Sequence, residues 1–195
     1  MPDTDSAPDP TVGDDLAGIA DLTAGEVRGF LDAVTEVAAG SATETALPVL
    51  LLATSQVLVT GARLGAIADV LPAERFEPDP GPDADVDPVR TGLANLLEGV
   101  DEYAEVQDPM TRPDVERGSL SGDLAEIALA LVHGLRHYEA GRVSEALWWW
   151  QFSYLSAWGD RAACALRVLQ SLLAHLRLDA DEDVVADAEF DALHG

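Results

Sequence analysis

Apolar positions recur along this chain with a helical period, and acidic, proline-rich stretches interrupt them. Thr23 and Glu26 have the spacing of a capping box. Val27, Leu31, Val34 and Ala38 follow at i, i+4, i+7 and i+11, which predicts a first helix ending near Ala39 with Gly40 beyond it. Pro48 suits the first turn of a second, buried and central helix, with Leu51, Leu52, Ser55, Leu58 and Val59 on its apolar face. From Asp69 to Asp87, four prolines fall among carboxylates, so that stretch is expected to lie extended on the surface. Asp87 and Pro88 then read as N-cap and N1 of a third helix carried by Val89, Leu93, Leu96, Leu97 and Val100.

Residues 107–118 read as a polar loop, and Ser119 or Ser121 as the cap of a fourth helix on Leu124, Ile127, Ala128, Leu131 and Leu135. Gly141 turns the chain into a fifth helix over Ser144–Trp158. After Gly159, a sixth carries Ala162, Leu166, Leu169, Leu173 and Leu176 at alternating four- and three-residue steps. No segment alternates with period two, so the expected class is all-α, a compact bundle of about six helices around a central aromatic-rich one. Residues 21–178 would form the single domain, between disordered acidic tails at 1–20 and 179–195, with a short helix around Val184–Leu193.

Composition narrows the classes of function. The net charge is −25, from 36 acids and 11 basic residues, all of them arginine, which disfavours nucleic acid and anionic membrane surfaces. Host-wide acidity accounts for this charge more simply than mimicry of DNA. The lone Cys164 permits no internal disulfide, and the first residues carry neither a basic nor an apolar export signal, so the cytoplasm is the expected compartment. The greasiest run, Ala46–Val59, falls short of the roughly 20 residues of a membrane span.

The segment from Glu145 to Gly159 carries the candidate chemistry. Successive helical residues lie about 100° apart, so Trp148, Trp149 and Trp150 cannot share one face, and Tyr154 and Trp158 add to others. The helix must be surrounded or must show aromatic surface to a ligand or partner. Residues 133–177 hold five arginines against three carboxylates, a net of +2 in a chain of the opposite sign. Arg136, Arg142 and Arg161, grouped near the helix turns with His137, are candidate contacts for an anionic ligand or acidic peptide, beside the ordinary role of pairing with carboxylates. His133 and His137, one turn apart, are two ligands where a metal site needs more; Asp83, Asp85 and Asp87 begin like a calcium loop but lack its glycine and final glutamate. Neither a metal nor a cofactor is expected, and with no nucleophile elbow, P-loop or dinucleotide turn, neither is a catalytic residue.

At HYEAGRVSEALWWWQFSYLSAWGDRAACALRVLQSL, and again at FLDAVTEVAAG and ERFEPDPGPDADVD, the chain resembles a bacterial family known only as a domain of unknown function, found in actinobacteria and Bacteroidetes. The resemblance spans about residues 25–178 and implies a compact helical, cytoplasmic domain without a transferable activity. Tyr138 to Gly141, followed by Ala146, is also similar to the turn of one tetratricopeptide hairpin; with no 34-residue repeat it implies a local antiparallel helix pair. The function expected is a non-catalytic interaction or regulatory module, monomeric or homodimeric. The alternative is a small-molecule binder or enzyme with an aromatic, arginine-lined pocket.

Overall fold

A computed structural model describes residues 10–41, 43–72, 78, 80–106 and 115–194, with side chains described from Asp15 to Leu178. Among the described residues, six α-helices make the body: α1 (Pro10–Ala38), α2 (Ala46–Ala66), α3 (Asp87–Leu96), α4 (Leu120–Glu139), α5 (Val143–Ser153) and α6 (Gly159–His194). A 3₁₀ turn, Thr43–Thr45, leads into α2, and a π-helical turn, Tyr154–Trp158, joins α5 to α6. Strands β1 (Glu102–Val106) and β2 (Val115–Ser119) form an antiparallel hairpin with Glu102 opposite Ser119. The class is all-α with this one small ornament.

α1 is longer than the capping-box reading predicts. Leu16, Ala20, Thr23, Val27, Phe30, Val34 and Val37 step by four and three along one core-facing stripe that begins upstream of Thr23. Thr23 is buried within the helix and its hydroxyl donates to Ile19 O at 2.8 Å, so it is not a cap. Residues 10–20, read above as part of an acidic tail, belong to this helix, while residues 1–9 lie outside the described residues. At the other end α6 continues past Arg177 to His194 and absorbs the short helix expected around Val184.

α2 turns inward a different face from the one its pattern predicts. Ala46, Leu50, Thr54, Val57, Gly61 and Leu64 turn inward, whereas Leu52 is 69% exposed and Val59 50%. Almost every position there is apolar, so the pattern does not mark a side; the small Gly61 decides it by admitting Tyr154 and Trp158. With its 3₁₀ turn the helix runs Thr43–Ala66, 24 residues whose most apolar 18-residue stretch has a mean hydropathy of 1.6, which by length and composition is enough to cross a membrane. Here it is a flanking helix packed on α1 and α6 rather than the buried centre.

The loop read over 107–118 contains β2 at its end, and residues 107–114 lie outside the described residues. Alternation over five residues of a charged hairpin is too short and too polar to signal a strand. Asp101 ties the hairpin to α4: its carboxylate accepts from Ser121 N at 2.7 Å, Ser121 Oγ at 2.8 Å and Ser119 Oγ at 2.9 Å. Ser119 Oγ also accepts from Gly122 N at 3.2 Å, which confirms it as the N-cap.

α4 and α5 form the antiparallel pair expected from Tyr138–Gly141. Gly141 takes φ 75°, and Arg142 N closes the helix end on His137 O at 2.9 Å, the 6→1 bond of a Schellman turn. Gly159 does not break the chain, because α5, the π turn and α6 run on from one another and Gly159 is itself helical.

Candidate functional site

Two neighbouring indoles lock α5 onto α4. Trp149 Nε1 donates to Ala130 O at 2.9 Å and Trp150 Nε1 to Leu131 O at 3.0 Å, consecutive carbonyls of one helical turn. Trp150 is fully buried over Gly134, where a Cβ would strike its indole. Trp158 is buried too, donating to Ser153 Oγ at 3.1 Å, with Tyr154 tilted against it at 4.9 Å in a seat formed by Gly61 and Gly65. These three aromatics therefore hold the fold. Trp148, half-buried, stacks on Phe152 at 5.5 Å towards solvent.

Trp149 faces a cleft. Its ring stacks on His133 at 3.8 Å and 24°, and together they form one wall of a half-open trough of about 380 Å³. One side is α4, presenting Glu126, Leu129, Ala130, His133 and Arg136; the other is the π turn and the start of α6, with Ala157, Trp158 and Arg161. Asp83 and Ala84, from the proline-rich segment, cover one end. Since Glu126 and Arg136 are ten residues apart on a helix rising 1.5 Å per residue, the trough is about 15 Å long. The π turn shifts register by one residue for its length and sets exposed Ala157 on the cleft wall, with buried Trp158 behind it, and such turns are often found at functional sites.

Both arginines on the rim are held in place. Arg136 donates to Pro82 O, anchoring the segment that covers the trough. Arg161 donates to Asp123 Oδ1 at 2.8 Å; the carboxylate is 5% exposed, the arginine side chain 50%. Tyr103 OH, from β1, lies within hydrogen-bond reach of Asp123 Oδ2 and sits 3.1 Å from Glu105 Oε2. Burial raises the Asp123 carboxyl above its usual range, against the opposing bonds from Tyr103 and Arg161. Burial and then the Asp123 carboxylate raise the Tyr103 phenol, so it stays protonated. Glu126 is bound by Arg90 at 2.8 Å, and with Asp83 it sets carboxylates along the same trough as Arg136 and Arg161.

The structure thus brings Trp149, Trp158, Arg136 and Arg161 to one cleft, and keeps His137 and Arg142 out of it. His137 is fully buried and its Nδ1 accepts from Arg142 Nε at 3.2 Å, so the two serve the helix turn. His133, paired above with His137 as a weak metal signal, instead stacks on Trp149; among the described residues no three His, Cys, Asp or Glu gather as a metal would require. Cys164 lies half-buried in α6, its thiol raised by burial and then by Asp160. Sequence reading passed over Asp123 and Tyr103. The available signal was an acid set beside Leu120, Leu124 and Ile127 on an otherwise apolar helix face.

Fold and cleft together define a helical bundle with an aromatic, arginine-edged trough between its antiparallel pair and the rod that continues from it. The chain belongs to the family described as a domain of unknown function, DUF5063, whose model matches residues 14–175. Its fold is similar to the crystal structure of protein BF1032 from Bacteroides fragilis, a structural-genomics target, at TM-score 0.63 and 16% identity over 77% of this chain and 89% of that one. No curated protein matches it.

Proposed function

We propose that this domain is a non-catalytic recognition module of the bacterial cytoplasm, and that its cleft receives a carboxylate-bearing segment of a protein partner. The carrying observation is the trough itself: a stacked Trp149–His133 wall between Arg136 and Arg161, each already oriented by a bond to Pro82 or Asp123. Cations fixed in advance lose little freedom when they bind, and guanidinium forks suit carboxylates. Among the described residues, none that lines the trough carries a hydroxyl or thiol nucleophile, which favours recognition over covalent chemistry. The volume, about 380 Å³, also lies within the range of small-ligand sites, so a free organic carboxylate held by the same groups is the second reading.

Ala157 is exposed on the wall, so Ala157→Trp fills the trough without entering the core. Covalent capture from host lysate followed by mass spectrometry should recover a peptide crosslinked near Trp149 in the native chain and lose it in Ala157→Trp. Arg136→Ala should reduce recovery roughly tenfold. A small carboxylate that co-purifies with the native protein alone would favour the second reading. Identical recovery from native and filled clefts would refute both.

A further inference from the structure

We propose that Tyr103 is a positioning residue of the cleft: by occupying one oxygen of Asp123 it keeps that carboxylate from closing on Arg161, and so leaves an edge of the guanidinium open for a ligand carboxylate. The proposal rests on the reading of the cleft as a carboxylate site. An arginine and a carboxylate commonly pair through two parallel hydrogen bonds. Here the pairing is single. Among the described residues Arg161 makes one hydrogen bond, from Nη1 to Asp123 Oδ1 at 2.8 Å, although its side chain is half exposed on the rim of the trough. Glu126, on the same trough, bonds instead to Arg90 at 2.8 Å.

What prevents the second bond is the hairpin. Asp123 Oδ2 accepts from Tyr103 OH, and a carboxylate only 5% exposed has little access to water as an alternative donor. Glu105 Oε2 lies 3.1 Å from the same hydroxyl; Asp123, the more buried of the two acids, has the greater need of its one hydrogen. The phenol reaches Asp123 because the strand register sets Tyr103 opposite Gly118, where a Cβ would come within 2.5 Å of the ring. Asp101, accepting from Ser121 N at 2.7 Å, fixes the base of the hairpin to α4, the helix that carries Asp123. Without the hydroxyl, the buried Oδ2 lacks a donor, and Nη2 of Arg161 is attached to the same carbon as the donor already in place. The carboxylate then turns to accept both, and the planar edge of the arginine is taken up inside the protein rather than offered to the trough.

Arginine side-chain NMR on the full chain tests it, with the Arg161 resonances assigned by their loss in Arg161→Lys. The readout is the rate of rotation about the Nε–Cζ bond. In Tyr103→Phe this rotation should slow by about tenfold, because two charge-assisted bonds rather than one must break in each turn. A purely structural role for the phenol predicts the reverse, a looser hairpin and a faster arginine. Gly118→Ala, which retains the phenol but displaces its ring, should slow Arg161 too, with urea titration showing that each variant folds. Succinate is then titrated into the native and Tyr103→Phe proteins while the Trp149 indole N–H is followed, and the variant should bind it roughly tenfold more weakly. Rotation that is unchanged or faster in either variant overturns the proposal, as does equal succinate affinity in the two proteins. Succinate that never shifts Trp149 in the native protein counts instead against the carboxylate reading of the cleft, and the rotation rates then decide the role of Tyr103 on their own.

Discussion

Thr54 stands in the inward stripe of α2 with its Oγ1 buried and no hydrogen-bond partner among the described residues. A buried, unmet hydroxyl costs about 1–3 kcal/mol, so the near-isosteric Thr54→Val should raise stability by about 1 kcal/mol in a urea titration. Trp150 is the opposite case, filled and satisfied: Trp150→Ala should cost about 3–5 kcal/mol by the same measurement. Gly134→Ala tests the seat below it, where overpacking of about 1–3 kcal/mol outweighs the gain of about 1 kcal/mol in helix propensity. Asp123 gives the pH signature. Its folded carboxyl is raised above the unfolded value near 3.9, so its contribution is fully present below that value and is lost as pH rises through the folded one. Asp123→Asn should flatten this part of the stability–pH curve, measured by urea denaturation at successive pH values.

At the scale of elements, caps separate from look-alikes. Ser119→Ala removes a cap that also receives the hairpin through Asp101, and should cost about 1–2 kcal/mol. Thr23→Ala, at the position that only resembled a cap, should change stability by less than about 1 kcal/mol, because its hydroxyl bonds back to Ile19 and alanine favours the helix. Thermal or denaturant unfolding of the pair checks both. The contrast shows what was legible. Helices α3, α4 and α5 were readable because proline, serine and glycine stand at their ends and apolar residues keep one period between them. The facing of α2 was not, since a helix apolar on nearly all sides names no inner face. The π turn escaped as well; its sequence is ordinary helix, and its extra residue is set by the packing of Tyr154 between Gly61 and Gly159.

For the whole molecule, charge sets the response to solvent. At −25 the folded state repels itself, so moderate sodium chloride should raise the melting temperature measured by calorimetry. The sequence by itself determined the helical class, the helix pair turning at Gly141, the family and the presence of more tryptophan than one core face can use. These depend on local period, end residues and composition, which act within a few turns of chain. Tertiary structure decided which tryptophans became framework and which one opened onto a cleft. It also separated Arg136 and Arg161, which share that cleft, from Arg142 and His137, which close a helix. The partners of Asp123, Tyr103 from twenty residues before and Arg161 from thirty-eight after, are chosen in the same way. Such choices depend on which helix faces meet across the bundle, and contacts between distant segments leave no period in the sequence to read.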